Sequence, residues 1–253
     1  MARIKFFGTA GARYVVARQL RASGGLYLEA EGTQLVLDPG PGTLVYMARE
    51  KVRVERLSGI IVTHVHLDHS ADLNILVDAM TEGGLRKRGT VFIPREGLYG
   101  ENAVLLPYLR AYLQRIVILE AQKEFRIGEI TFRTSIRHHH PVETYGIVMD
   151  IAGKRVGFVV DTLYFKGLLE SYRDCDLLIF NVVRFKPHPS PQVQHLSVVD
   201  VREMIEVLRP ERAVLTHFGM TMIRANPKQV AGRLTKETGI PVVAAYDGLE
   251  IRL

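Results

Sequence analysis

The sequence has almost no cysteine and no long hydrophobic run. Cys175 is the single cysteine among its 253 residues, which excludes an internal disulfide and a four-cysteine zinc site. Free thiols are typical of reducing compartments, so we expect a cytoplasmic protein. No apolar run approaches the length that spans a bilayer, and no membrane contact is expected. Glycines interrupt the N-terminal segment MARIKFFGTAGAR, which therefore predicts a first strand and not a signal peptide.

Features that divide a chain into separate units are also missing. The sequence contains no Ser/Pro-rich linker, low-complexity tract or long repeat, so we expect residues 1–253 to form one domain. Hydrophobic residues make up 47% and charged residues 24%, which is typical of a soluble globular protein with a large core. The net charge of +6 suits an anionic substrate or a nucleic acid, although most charges belong on a solvated surface.

Hydrophobic periodicity and turn residues predict alternating strands and helices. The predicted strands are residues 2–7, 24–30, 33–38, 58–63, 90–93, 115–119, 129–136, 143–151, 154–160, 176–181, 212–216 and 242–251. The predicted helices are residues 42–50, 70–80, 101–114, 197–208 and 227–238, and the last two carry capping residues, Ser197 and Asn226. Two mixed sheets packed face to face, with helices outside, would bury these elements in an α+β fold.

The histidines carry the chemical information. Three of the nine lie in the segment THVHLDH, directly after the apolar strand 58–63. Alternation along an extended chain places His64 and His66 on one side, and Asp68 and His69 begin the turn that follows. Four metal-capable groups within six residues favour a site for zinc, manganese or iron over a polar loop that is merely rich in histidine.

The THVHLDH segment resembles the signature of the metallo-β-lactamase-fold hydrolases. Other segments along nearly the whole chain are similar to further motifs of that family: FFGTAGAR, LVLDPGPGT, His140 with Gly146, GFVVDT, VLTHFG and YDGLEIRL. The resemblance implies a four-layer αβ/βα sandwich in a single domain. It also implies a hydrolase that uses two divalent metal ions, with zinc expected and manganese or iron as alternatives.

The resemblance further implies roles for individual residues. One ion would be held by His64, His66 and His140, and the other by Asp68, His69 and His217. Asp161 would bridge both ions, and Asp68 would also belong to the catalytic group. A shared carboxylate and a shared hydroxide offset the repulsion between two cations, and the hydroxide would be the nucleophile because the cations lower its pKa. Asp38 would support a ligand histidine by accepting its other N–H, a role compatible with a turn in DPGPG.

The triple histidine 138–140 is ambiguous on spacing alone, because residues 138 and 140 of a strand face the same way. The match to the motif ending at Gly146 selects His140. We interpret His138 and His139 as solvated residues or as the rim of a substrate site.

His195, in the segment QHLS, matches a histidine of two phosphodiesterase branches of the family. There it is implied to contact the scissile phosphate and to protonate the leaving oxygen, although a simple position at a helix start is the alternative. Arg184 and His188 precede it and are candidate substrate-binding residues. Arg184 can hold a phosphate oxygen bidentately, but an ordinary surface arginine is an equal alternative.

Two branches compete for the function. The tRNA 3′-end processing endonucleases (tRNase Z) carry a long flexible arm between the third histidine and the bridging aspartate. Here Asp161 follows His140 by 21 positions, which leaves no room for an arm. The cyclic phosphodiesterases of phosphonate breakdown have a similarly short interval, but they carry a cysteine-rich zinc site where this chain has ARYVVARQLRASGG. We therefore expect a phosphodiesterase for a small or cyclic phosphodiester, with an armless tRNase Z-like nuclease as the alternative.

Other activities fit the motifs less well. True β-lactamases and glyoxalase II-type thioesterases lack the GTAGAR, DPGPG and HLS segments, and His66 argues against the oxygen-reducing diiron relatives. A non-catalytic metal-binding regulatory module is a second alternative, but such proteins usually lose ligands and all seven are present. The expected partner is a phosphodiester substrate; nucleic acid is not favoured, and a homodimer is compatible with the sequence.

Overall fold

The computed structural model describes residues 2–253 and contains two seven-stranded sheets. The strands are β1 Arg3–Phe6, β2 Leu26–Ala30, β3 Thr33–Leu37, β4 Gly59–Ile61, β5 Thr90–Ile93, β6 Arg115–Ile118, β7 Glu124–Ile127, β8 Ile130–Arg137, β9 Tyr145–Ile151, β10 Lys154–Val159, β11 Leu177–Asn181, β12 Arg212–Thr216, β13 Val242–Ala244 and β14 Glu250–Arg252. The first sheet has the order β14-β1-β2-β3-β4-β5-β6, and the second has the order β13-β12-β11-β10-β9-β8-β7.

Each sheet contains an antiparallel part and a parallel part. Strands β3 to β6 run parallel in the first sheet, and β10 to β13 run parallel in the second. The carboxyl ends of neighbouring parallel strands meet at one edge of a sheet, which is where open α/β sheets place their ligands.

Eight α-helices accompany the sheets within the described residues. They are α1 Ala12–Ala17, α2 Thr43–Arg49, α3 Leu67–Ser70, α4 Leu73–Met80, α5 Leu168–Ser171, α6 Val198–Leu208, α7 Met220–Arg224 and α8 Pro227–Thr238. Among residues 2–253, none of the helices combines the length and the hydrophobicity of a membrane-spanning segment.

Three hydrophobic cores separate four layers. The central core fills the space between the sheets with side chains such as Phe92, Phe132 and Phe158. The buried faces of α6 and α8 pack on the second sheet, and α4 packs on the first. This confirms the predicted αβ/βα sandwich.

Two element predictions are wrong. Residues 101–114 form turns and a 3₁₀ segment, Pro107–Tyr112, instead of a helix. The guanidinium of Arg110 donates to the carbonyls of Leu98 and Leu105, which stabilises the turns. Residues 242–251 are two strands, β13 and β14, and the turn at Gly248, with a φ of 90°, sends them to different sheets. The short helices α1, α3, α5 and α7 and the strand β7 are additional to the prediction.

Candidate metal centre and active site

The histidines and aspartates of the motifs converge at the ends of strands from both sheets. In the first sheet, Asp38 follows β3, and the segment that begins with His64 follows β4. In the second sheet, His140 follows β8, Asp161 follows β10 and His217 follows β12. The two sheets therefore supply facing halves of one site.

The first cluster consists of His64, His66 and His140, whose ligand atoms lie within 4.8 Å of one another. His140 Nε2 lies 3.0 Å from His66 Nδ1. His64 is fully buried, and its Nε2 has no hydrogen-bond partner among residues 2–253. Three ring nitrogens therefore face one another, and the buried one receives no hydrogen bond. A bound cation would satisfy this arrangement.

The second cluster consists of Asp68, His69 and His217. His69 Nε2 and His217 Nε2 are 2.9 Å apart, and Asp68 Oδ2 lies 3.4 Å from His217 Nε2. His217 adopts a φ of 58°, which is uncommon for a residue with a side chain. A Cβ on Gly11 would lie 2.3 Å from His217 Nδ1, so the GTAGAR segment needs glycine where it passes behind this ligand.

The carboxylate of Asp161 lies between the two clusters. Asp161 Oδ2 is 3.9 Å from His64 Nε2 in the first cluster and 3.6 Å from His69 Nε2 in the second. Asp161 Oδ1 is 3.4 Å from His217 Nδ1 and accepts a hydrogen bond of 3.0 Å from the amide of Asn181. This is the position that a carboxylate shared by two ions requires.

Neighbouring groups orient the rings. Asp38 Oδ2 accepts from His69 Nδ1 at 2.9 Å, and the same carboxylate accepts from both the backbone N–H and the hydroxyl of Thr63 at 2.7 Å. His140 Nδ1 donates to the carbonyl of Gln194 at 3.1 Å. Each of these bonds leaves Nε2 of the ring directed at the cluster, as ligand histidines require.

The charge states also suit a cation. Burial lowers the pKa of His64, His66 and His140, so these rings are neutral near pH 7. Burial alone would raise the pKa of Asp68, but the imidazoles of His69 and His217 outweigh it and hold that pKa below its usual range. Burial alone would lower the pKa of His69, but the carboxylates of Asp68 and Asp38 outweigh it and raise that pKa well above its usual value, so a bound ion would replace a proton on this ring. Imidazoles and carboxylates of this kind form a donor set for zinc, manganese or iron.

His195 lies beside both clusters without belonging to either. Its Nδ1 is 3.5 Å from Asp161 Oδ2, and its ring centroid is 5.3 Å from that of His140. The side chain is 21% exposed, so the ring is open to solvent on one side. Burial of the rest of the ring lowers the pKa of His195.

The two candidate substrate residues differ in their surroundings. Arg184 lines a cavity of about 120 Å³ with Tyr14 and Met220, and its Nε is buried without a hydrogen-bond partner in the described part of the chain. His188 Nδ1 accepts from the backbone N–H of Ser190 at 3.0 Å and so contacts its own loop. The metal-capable clusters include neither residue.

One histidine interpretation is wrong. His138 is 2% exposed, so it is neither solvated nor at a rim, and its ring nitrogens contact the carbonyl of Asp161 and the hydroxyl of Tyr172. Burial lowers the pKa of His138 to about 4. His139 is exposed, as expected, and stacks on Phe165 with ring centroids 3.8 Å apart.

Sequence reasoning missed Asn181 and Gln194 as supports of the site. Asn181 is the last residue of β11, whose other residues are apolar, and a polar residue at the end of an apolar strand is a signal that the sequence contains. Gln194 acts through its backbone carbonyl, which no side-chain pattern reveals.

Known proteins resemble the chain in sequence. A family model described as a beta-lactamase superfamily domain matches residues 33–218. An uncharacterised protein of Methanocaldococcus jannaschii is 28% identical over 257 residues, covering 99% of this chain and 94% of that protein. A ribonuclease Z of Ignicoccus hospitalis is 28% identical over 158 residues, covering 61% of this chain and 51% of that enzyme.

Solved structures resemble the fold. The metallo-beta-lactamase fold protein YhfI of Bacillus subtilis matches with a TM-score of 0.81 at 16% identity, over 99% of this chain and 98% of that one. A diphosphatase from the PhnP family matches with a TM-score of 0.70 at 18% identity, over 100% and 98%. The family model, which covers most of the chain, and the shared fold agree with the motifs: the chain belongs to the beta-lactamase superfamily and is a metal-dependent hydrolase with the metallo-β-lactamase fold.

Proposed function

We propose that this hydrolase is a phosphodiesterase that uses two divalent metal ions and acts on a small or cyclic phosphodiester. The observation that carries the proposal is the position of His195. Its imidazole lies 3.5 Å from the carboxylate of Asp161, outside both ligand clusters and open to solvent on one side. The thiolate of a thioester leaves without a proton, whereas a poor alkoxide leaving group needs a proton donor.

The ligand assignment follows the two clusters. His64, His66 and His140 hold one ion, Asp68, His69 and His217 hold the other, and Asp161 bridges them. Zinc is the expected metal, with manganese or iron as alternatives. When bound, two such ions supply a hydroxide near neutral pH and neutralise charge on the phosphoryl oxygens.

The chain's own residues do the rest. Asp38 and the Gln194 carbonyl fix the His69 and His140 rings, so the site needs little rearrangement when metal and substrate bind. His195 acts as an acid in its protonated form, which gives its proton to the leaving oxygen; because burial lowers the pKa of His195, that form is the minor one near pH 7 and the acid step is favoured at lower pH. We propose Arg184 and His188 as contacts for the outer part of the substrate.

An armless tRNase Z-like nuclease is the second candidate, and similarity to a ribonuclease Z favours it. The interval between His140 and Asp161 opposes it, because β9, the turn at residues 152–153 and β10 fill that interval. An element that grips tRNA would have to lie elsewhere.

The test is a substrate panel on protein of known metal content. We expect about two transition-metal ions per chain, and turnover of cyclic nucleotides, cyclic ribose phosphates or bis(p-nitrophenyl) phosphate. Faster turnover of nitrocefin or S-lactoylglutathione than of every phosphodiester would refute the proposal. Cleavage of precursor tRNA in preference to all small substrates would establish the second candidate, and a metal-loaded protein that hydrolyses nothing would point to a regulatory module.

A further inference from the structure

The buried residue His138 has both ring nitrogens engaged. Nδ1 lies 3.2 Å from the backbone carbonyl oxygen of Asp161, and Nε2 lies 3.1 Å from the hydroxyl of Tyr172. Tyr172 is fully buried as well. His138 belongs to none of the metal-capable clusters found in residues 2–253, so ligation does not explain why a polar ring occupies the core.

The partners determine where the protons lie. A carbonyl oxygen only accepts, so Nδ1 of His138 carries the hydrogen and donates to Asp161. In a neutral ring Nε2 then accepts, and the Tyr172 hydroxyl is the available donor. That hydroxyl also lies 3.1 Å from the carbonyl oxygen of Phe158, so its single proton serves two acceptors.

The hydrogen bond from His138 to the carbonyl of Asp161 joins the two segments that carry His140 and Asp161. Beyond it, the backbone N–H of His139 donates to Thr162 Oγ1 at 3.2 Å, and the N–H of Leu163 donates to the carbonyl of His139 at 2.9 Å. Three hydrogen bonds therefore link residues 138–140 to residues 161–163, and the bond from the ring of His138 is the first of them.

Gly146 makes room for this pair. A Cβ at Gly146 would lie 1.7 Å from the Tyr172 hydroxyl oxygen and 2.9 Å from His138 Nε2. The glycine six positions after His140 is thus required by the buried histidine and tyrosine, and not by an unusual backbone angle.

We propose that His138 is a positioning residue that fixes the backbone of Asp161, and with it the shared carboxylate, while Tyr172 fixes the tautomer of His138. The inference rests on the proposed role of Asp161 as a ligand. It assigns a function in metal binding to a histidine that does not itself touch the metal.

A matched pair of substitutions tests it. In His138→Asn the amide nitrogen can occupy the place of Nδ1 and still donate to Asp161, whereas in His138→Gln the amide lies near the place of Nε2. We expect His138→Gln to raise the Kd for Zn²⁺, measured by chelator competition, about tenfold, as expected for a lost outer partner. The absorption spectrum of the Co²⁺-substituted protein should shift in this variant, and His138→Asn should resemble the wild type in both measurements.

Each outcome decides the question. Unchanged Zn²⁺ affinity and Co²⁺ spectrum in His138→Gln would overturn the inference, as would equal losses in both variants, which would indicate a packing role. If circular dichroism shows that His138→Gln does not fold, Tyr172→Phe takes its place. We expect this variant to lose less Zn²⁺ affinity than His138→Gln would. An unchanged Zn²⁺ affinity in Tyr172→Phe would overturn the inference. A wild-type protein that binds no metal would remove the proposed function and the inference together, whereas normal wild-type binding confines a failure to His138.

Discussion

At the scale of single residues, hydrogen bonds select one nitrogen in three of the five histidine rings of the two clusters. Asp38 accepts a hydrogen bond from Nδ1 of His69, the ring nitrogen that faces away from the cluster, and the Gln194 carbonyl accepts one from Nδ1 of His140. Thr63 Oγ1 lies 3.0 Å from His64 Nδ1 and does the same for the first ligand of the motif. The inner nitrogens are therefore directed at the clusters before any ion arrives.

Replacing His195 with alanine should separate metal binding from chemistry. His195 lies outside the clusters, so metal content measured by elemental analysis should not change. Loss of a positioned acid should lower kcat about 10²- to 10⁴-fold. The loss should be much smaller for a p-nitrophenyl ester, whose leaving group departs without a proton.

His139→Ala is the matched control, because His139 is exposed and stacks only on Phe165. It should leave kcat unchanged. An equal loss for good and poor leaving groups in His195→Ala would instead indicate that His195 positions the phosphate, and a loss of metal would make it a ligand.

The single thiol should be inert in the folded protein. Cys175 is 4% exposed, and burial raises its pKa to about 12. Only the thiolate reacts with a disulfide reagent, so at pH 8 almost no reactive form exists until the chain unfolds. Labelling with Ellman's reagent should be slow in buffer and complete in denaturant; rapid native labelling would contradict the described burial.

At the scale of elements, local signals predict well where the chain itself carries the information. Ser197 and Asn226 mark the starts of α6 and α8, and the apolar run before His64 marks β4. The prediction of a helix over residues 101–114 is wrong because hydrogen bonds from Arg110 to the carbonyls of Leu98 and Leu105 stabilise the turns.

Distant contacts also explain the remaining errors. Tyr172, 34 positions after His138, buries a histidine that its own segment suggests is exposed. Asp247 accepts hydrogen bonds from Thr9 and Ala22, more than 200 positions earlier, and this anchors the turn that separates β13 from β14. A ligand set tied to a motif is visible in the sequence, whereas the groups that hold it are brought from elsewhere by the fold.

The capping box of α6 should contribute measurably to stability. Asp200 Oδ2 accepts from the backbone N–H of Ser197 at 2.7 Å, and the Ser197 hydroxyl caps the N–H of Asp200. We expect Ser197→Ala to lower the free energy of unfolding by about 1 kcal/mol in urea titrations. Val199→Ala, at a residue 46% exposed on the same helix, is the control and should change it by less than about 0.5 kcal/mol.

At the scale of the whole molecule, the candidate metal centre lies where the two sheets meet. The segment after β4 supplies four ligand candidates from the first sheet, and strands β8, β10 and β12 lead to three from the second. Bound ions would therefore hold together two layers that otherwise meet through the central hydrophobic core.

Removal of metal should lower the thermal midpoint of the whole chain. A ligand that binds only the native state stabilises it by about 4 kcal/mol at a thousandfold excess over its Kd. Calorimetry with and without a chelator measures this difference, and both scans should show one transition. A midpoint that does not respond to chelation would contradict the joining role, and two separated transitions would show that the sheets unfold independently.

The pairing of β14 with β1 has a consequence for biosynthesis. Arg3 pairs with Arg252, so the outer edge of β1 is covered only by residues made almost 250 positions later. A nascent chain therefore carries an open strand edge, with unpaired N–H and C=O groups, until residue 252 has been made. His217 also emerges late, so the metal centre is completed after most of both sheets has left the ribosome. Folding of this chain therefore depends on keeping the unfinished edge from pairing with other chains until β14 has been made.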